Sequence, residues 1–180
     1  MGILMSRLDS AIRRLQAQRR LLDQAASDIQ SLEGVVLELG LGNGRTYDHL
    51  RHILPNHDIY VFEREVQAHP DCVPEDDHLF LGDVIDGLHR AQKTLRARAV
   101  LVHADLGTGD SQASRDFAKN HLSPAIIPLL AEGAQILSDQ PLSLPGATKV
   151  PLPEGMDADR YHVYRVDGPL EAHKRFHKAA

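Results

Sequence analysis

A chain of 180 residues with 42% hydrophobic content is long enough for one domain around a single core, burying roughly 70% of the surface its unfolded form exposes. No apolar run approaches the roughly 20 residues of a membrane span, and the stretch holding Arg7, Arg13, Arg14, Arg19 and Arg20 has no uninterrupted apolar segment, so neither a membrane helix nor a secretory leader is expected and the protein is read as cytoplasmic. A single cysteine, Cys72, excludes an intrachain disulfide framework, while a net charge of −5, a pI near 6.1 and 4% aromatics with no Trp argue against nucleic acid as the partner.

Residues 4–32 begin the chain with an amphipathic pattern. Leu8, Ile12, Leu15, Leu22 and Ile29 fall on one helical stripe, with Arg and Gln largely opposite. Ser6 followed by Asp9 reads as a capping pair, and Ser27 followed by Gln30 suggests a second, giving one helix or two with a bend. The stripe either covers the sheet or meets its twin in another subunit, so a homo-oligomer is an open option. The basic cluster from Arg7 to Arg20 is read as a solvated face in preference to a phosphate-binding patch.

From Gly34 onward, strand-length apolar runs alternate with helical patterns: Val35–Leu39, Ile59–Phe62, His78–Leu81, Ala99–Ala104, Ala134–Ser138 and Tyr161–Val166. This alternation predicts an α/β fold, a parallel sheet with helices on both faces joined by right-handed crossovers. Tyr47, Leu50 and Leu54 mark a helix that stops at Pro55, and Val84–Leu95 a second. After Asp110 a two-part helix is expected, with Ser123 as the N-cap and Pro124 as the first position of its second part. Residues 140–159 carry four of the ten prolines and no periodicity, and are read as a loop over the site with room for a short strand near Thr148–Val150. Residues 169–180, with His173, Lys174, Arg175, His177 and Lys178, read as a short helix or frayed tail.

The segment VVLELGLGNGRT, Val35 to Thr46, joins an apolar run to three glycines at alternate positions and a polar stretch that can open a helix. Without Cβ atoms, Gly40, Gly42 and Gly44 let backbone N–H groups approach a ligand at the mouth of a strand. A dinucleotide fingerprint wants G-x-G-x-x-G, whereas here the third glycine comes one residue early and Arg45 holds the later slot. The first four strands each end in an acid, Glu38, Glu63, Asp83 and Asp105, and at the carboxyl edge of a parallel sheet these converge on one crevice.

Glu38 to Gly44 resembles motif I of the class I S-adenosylmethionine-dependent methyltransferases, acid-x-Gly-x-Gly-x-Gly, and Gly82-Asp83-Val84 is similar to that family's third motif. The resemblance covers about residues 34–139, with Leu129–Ser138 matching its turn and fifth strand, and extends in weaker form to Tyr161–Val166 as the antiparallel last strand. It implies a Rossmann-like three-layer αβα sandwich with a mostly parallel sheet: a helical segment over 1–33, an S-adenosylmethionine-binding domain over 34–168 and a tail over 169–180. It also implies a cofactor site drawn from Glu38, Gly40, Leu41, Gly42, Asn43, Gly44, Thr46, Glu63, Arg64, Gly82, Asp83, Val84 and Asp105. Within it, Glu63 accepts the ribose hydroxyl protons, Asp83 meets the adenine amino group, and Glu38 orients the loop and helps to neutralise the ligand's ammonium group. From the residues alone, Asp83 is equally an N-cap for the helix beginning near Val84. A carboxylate-rich edge suits a sulfonium and ammonium cation better than a pyrophosphate.

The chain departs from the family where many amino-group methyltransferases carry an Asn or Asp, two prolines and an aromatic; here the sequence is HADLGTGD. That puts DNA-base and glutamine methylation in doubt, and the short stretch before Tyr161 points to a small-molecule acceptor. Asp105 is the candidate for substrate orientation or proton acceptance, and His103 the secondary catalytic candidate. The two are expected to leave opposite faces of the sheet, with one of them in the crevice. No metal is expected, although His49 with His52, His173 with His177, and His103 with Asp105 have ligand-like spacings. Two other functions remain open at this point: an NAD-dependent oxidoreductase, and a non-catalytic S-adenosylmethionine-binding module signalling through the N-terminal helix.

Overall fold

Each apolar run singled out in the sequence forms a strand in the computed structural model, which describes residues 6–107, 111–158, 160–168 and 170. In chain order the elements are α1 (Arg7–Asp28), β1 (Val35–Leu39), α2 (Arg45–Ile53), β2 (Asp58–Glu63), β3 (Leu79–Leu81), α3 (Val84–Ala91), β4 (Ala99–Ala104), α4 (Ser111–Phe117), α5 (Ser123–Ile126), β5 (Leu130–Ser138), β6 (Ala147–Val150) and β7 (His162–Val166). One seven-stranded sheet runs in the order β3-β2-β1-β4-β5-β7-β6, with β7 alone antiparallel to its neighbours. This is the mostly parallel sandwich that the alternating pattern predicts.

The two faces of the sheet carry separate apolar layers. Leu21, Leu22 and Ile29 of α1 and its C-cap, with Leu50 of α2, cover Val36, Val61, Leu101 and Leu137. On the opposite face Leu88, Leu122, Ile126 and Leu129 cover Leu37, Leu39, Val102 and Ile136. Burial of side chains this size contributes roughly 1.5–3 kcal/mol each, so the C-terminal half of α1 belongs to the domain core. Its N-terminal half does not, for Leu8 and Ile12 remain 69% and 43% exposed. The stripe therefore divides, one half covering the sheet and the other open.

Four expectations need correction. The first segment is one helix: Ser6 caps it, accepting from Asp9 N at 3.0 Å, whereas Ser27 lies inside its last turn, which closes at Ile29. Ser123 is not an N-cap. It has helical φ and ψ of −55° and −51°, and its hydroxyl donates to Ala118 O at 2.7 Å across a π-turn, Ala118–Leu122, that makes the helical run continuous where Pro124 lacks an N–H. β5 starts four residues earlier than the sequence pattern, because Gly133 at φ +78° absorbs a bulge against β4 that keeps Leu130 in register with Ala99.

Residues 140–159 do not form one loop over the site. β5 and β6 are parallel, so the intervening residues must return across the sheet, and they do so without a helix. Leu144 is buried against the α3–α5 layer while Ser143 N donates to Ser123 Oγ at 2.9 Å and Leu142 N to Tyr164 Oη at 2.9 Å. Gln140, next to Asp139, and the part after β6 lie at the carboxyl edge. The tail over 169–180 lies outside the described residues except for Leu170. Among the described residues no helix is long and apolar enough to cross a membrane.

Candidate active site

Adjacent β1 and β4 send the chain in opposite directions along the sheet, which opens a crevice beyond their carboxyl ends. The glycine loop lies at its mouth. Gly44 opens α2 at φ +79°, and a Cβ there would come within 2.5 Å of Cys72 Cβ and 2.8 Å of Cys72 O, so only glycine lets the Ala68–Cys72 segment close over the loop. Gly42, at φ +51°, has nothing within 4 Å of a Cβ position, and Gly82 after β3 is open in the same way. Bare backbone therefore faces free space at the ends of β1 and β3, on either side of β2 and its Glu63.

Glu63 is bound to that backbone. One carboxylate oxygen accepts from Leu41 N at 2.7 Å and Gly42 N at 3.0 Å, the other from Arg64 N at 2.7 Å and Glu65 N at 3.3 Å. Burial alone raises its pKa, but the N–H groups of Gly42, Leu41, Glu65 and Arg64 outweigh it and hold the carboxyl below its ordinary value. Asp83 serves as the N-cap of α3, accepting from Ile85 N at 2.9 Å and Asp86 N at 3.3 Å, while Val84 opens the helix and packs on the core. Leu41 is buried, so this position offers the crevice its backbone, and Asn43 is exposed beside it.

Glu38 sits under the loop. It is fully buried, with one oxygen taking the Thr46 hydroxyl and the other 2.8 Å from His103 Nδ1. Both oxygens thus face protein, one toward the start of α2 and the other toward β4. Desolvation opposes charge on His103, yet the field and hydrogen bond of Glu38, with Asp105 and Asp139 behind them, raise its pKa above the ordinary value.

His103 and Asp105 point to the same side of the sheet, contrary to expectation. Residues two apart on a strand share a face, and both line a small hollow with Gln18, Asp139 and Tyr161 under α1. Asp105 accepts from Gln18 Nε2 at 2.7 Å and pairs with Arg14 Nη1 at 3.4 Å. Asp139, which follows β5, was not foreseen, although the strand-end rule that singles out the first four acids applies to it too. Burial and then repulsion from Asp105 raise its pKa, against the N–H groups of Leu106 and Gly107 that its carboxylate accepts. Gly107 packs closely there, since a Cβ would meet the Asp139 oxygen at 2.6 Å and oblige that carboxylate to shift.

Beyond Asp105, a cleft of about 400 Å³ lies between the N-terminal half of α1 and the chain from Gly155 to Tyr161. Tyr161 lines both spaces, and its hydroxyl donates to Arg14 O at 3.3 Å. The basic cluster is therefore only partly a solvated face, for Arg13, Arg14 and Arg20 line this cleft. Nothing in the local sequence marks Gln18 or Tyr161 as site residues, because their role depends on partners 87 and 147 residues away. Of the histidine pairs, His49 bonds to Asp23 at 2.7 Å, and His173 with His177 lies outside the described residues. Among the described residues no group of three or more His, Cys, Asp or Glu is placed to hold a metal ion.

A family model described as S-adenosyl-L-methionine methyltransferase matches residues 5–166. Among solved structures, an S-adenosyl-L-methionine methyl transferase from Silicibacter pomeroyi DSS-3 is 42% identical, with 91% of this chain and 99% of that one covered and a TM-score of 0.84. The O-methyltransferase TomG from Streptomyces achromogenes, involved in tomaymycin synthesis and solved in complex with SAM, is similar in fold alone, at 16% identity over 84% of this chain and 80% of its own with a TM-score of 0.57. No curated protein matches the chain.

Proposed function

This chain belongs to the S-adenosyl-L-methionine methyltransferase family, and from that premise we propose where its two substrates sit and which side chains serve the transfer. The protein is an S-adenosyl-L-methionine-dependent methyltransferase, and the oxidoreductase and non-catalytic readings fall away with that assignment. The open backbone at Gly42 and Gly82, with Glu63 between them, suits an adenosine moiety, with Asp83 at the adenine end and Glu63 at the ribose. The cofactor brings a methyl group already activated on a sulfonium. The protein's contribution is then chiefly alignment, worth several kcal/mol when donor and acceptor are held at near-contact distance.

The acceptor is a small molecule held in the cleft between α1 and Gly155–Tyr161, with its nucleophilic atom beside Asp105. The observation that carries this reading is the direct tie from Asp105 to Gln18 and Arg14, which places the cleft's inner wall at the mouth of β4. Its volume, about 400 Å³, falls in the range of small-molecule pockets, about 300–1,000 Å³. Asp139 takes the proton where the nucleophile carries one, since burial and the neighbouring Asp105 raise its pKa, while His103, tied to Glu38, positions the carboxylates. Asp139→Asn tests this: cofactor affinity stays as in the wild type, turnover falls, and the rise in rate through the raised carboxyl pKa disappears from the pH profile. A normal profile removes Asp139 from the chemistry. The exposed Leu8 and Ile12 support pairing of two subunits through the start of α1, and the lone cysteine supports a cytoplasmic setting.

A further inference from the structure

Among the described residues, four guanidiniums and one carboxylate line the cleft: Arg13, Arg14 and Arg20 from α1, Arg160 from the opposite wall, and Asp157. The protein as a whole carries a net charge of −5, so this excess of positive charge is local and does not follow from composition. Like charges gathered in one hollow repel, and folding is eased by separating or pairing them; a cluster left cationic is instead suited to attract and hold an anion. Among the described residues the existing partners neutralise it only in part. Arg20 donates to a neutral carbonyl, Glu154 O, at 3.2 Å, and Arg160 Nε lies 3.4 Å from Asp157. Arg14 reaches only 3.4 Å to Asp105, which also takes Gln18, and Arg13 makes no hydrogen bond or ion pair among the described residues. Met156, Ala17 and Tyr161 complete the walls and offer an apolar surface for the rest of a guest.

We infer that the methyl acceptor is a small organic anion, its carboxylate or phosphate held by Arg13 and Arg160 and its body laid on Tyr161 and Met156. Planar guanidinium forks match either group with paired N–H donors, which gives orientation as well as attraction. Orientation is what an in-line transfer requires. With the anionic end fixed toward the open side of the cleft, the opposite end of the molecule is directed at Asp105, which gives the cationic hollow a use in the reaction. This inference rests on the reading of the cleft as the acceptor's.

The test uses the full chain saturated with S-adenosylhomocysteine, titrated calorimetrically with phenyl phosphate, with benzoate, and with uncharged benzamide. At least one anion binds and benzamide does not, and comparison of the two anions tells phosphate from carboxylate. The double variant R13Q/R160Q, both exposed positions, weakens that binding at least about tenfold. Its affinity for S-adenosylhomocysteine, which reports an intact fold, is unchanged. Failure of both anions to bind better than benzamide, equal binding by the variant, or displacement of the anion by a mixed-sequence RNA at far lower concentration overturns the anionic small acceptor. A crystal of the ternary complex separates the two claims. An anion on Arg13 and Arg160 with its far end at the S-adenosylhomocysteine sulfur supports both, and an anion there with no approach to the sulfur overturns the placement of the acceptor.

Discussion

The β1–β3 side of the crevice and the β4–β5 side are built on different principles. On the first, the acids that follow β2 and β3 are held by main-chain donors close in sequence or by one short loop: Glu63 by four N–H groups, Asp83 by two at the start of its own helix. On the second, contacts across long separations carry more of the work, as the side chains of Gln18 and Arg14 hold Asp105 and the Tyr161 hydroxyl donates to Arg14 O, while Asp139 keeps main-chain donors from Leu106 and Gly107. A main-chain cradle is pre-formed and tolerant of neighbouring sequence. A side-chain cradle varies with every residue in it, which fits a fold that keeps one cofactor while changing acceptors.

Substitutions can break or sharpen this contrast. The largest effect is expected at the seam between the two sides, where Glu38→Ala leaves the buried His103 without its counter-charge; stability should fall by about 3–5 kcal/mol in urea denaturation. Glu63→Ala removes the charged acceptor on the cofactor side and should weaken S-adenosylmethionine binding by about 1.5–3 kcal/mol, roughly ten- to a hundredfold, by calorimetry. On the other side Gln18→Ala should lower turnover about tenfold, about 1.4 kcal/mol, by releasing Asp105 while leaving cofactor affinity alone. A cofactor affinity that changed instead would erase the distinction between the sides.

Smaller still is a pH effect. Because folding raises the pKa of His103, its stabilising contribution is complete below the imidazole's ordinary value of 6.5 and is lost as pH rises through the folded-state value. The urea midpoint should decline over that alkaline range, and Glu38→Gln, which keeps the shape of the side chain and removes its charge, should flatten the decline. The smallest effect on stability, within about 0.5 kcal/mol, is expected for Leu8→Glu with Ile12→Glu, both exposed positions. Light scattering should nonetheless show a lower mass than the wild type if the start of α1 joins subunits, and the same mass would remove that contact.

The same division explains what could be read from sequence. Glycine spacing, the acids at strand ends and the alternation of apolar runs are local, so β1, β4 and the position of Glu63 at the end of β2 are legible in the sequence, whereas the order of the strands is not. Asp139 was legible by the rule that found the other four and was passed over. The shared face of His103 and Asp105 followed from the pleat and was misassigned. Ser123 had an N-cap's neighbours, and only the π-turn reveals that its hydroxyl serves Ala118 O. Gln18, Arg14, Arg160 and Tyr161 gave no local sign, since a glutamine on a polar helix face looks the same with or without an aspartate from 87 residues away.

The 147-residue span between Tyr161 and its partner on α1 has a consequence for the order in which capacities arise as the protein is made. A nascent chain translated past α3 already carries the glycine loop, Glu63 and Asp83. The cleft proposed for the acceptor needs the chain up to Tyr161 to leave the ribosome and dock beside a helix synthesised near the start. Competence to transfer a methyl group therefore arrives late in translation, well after the parts that grip the donor have been made.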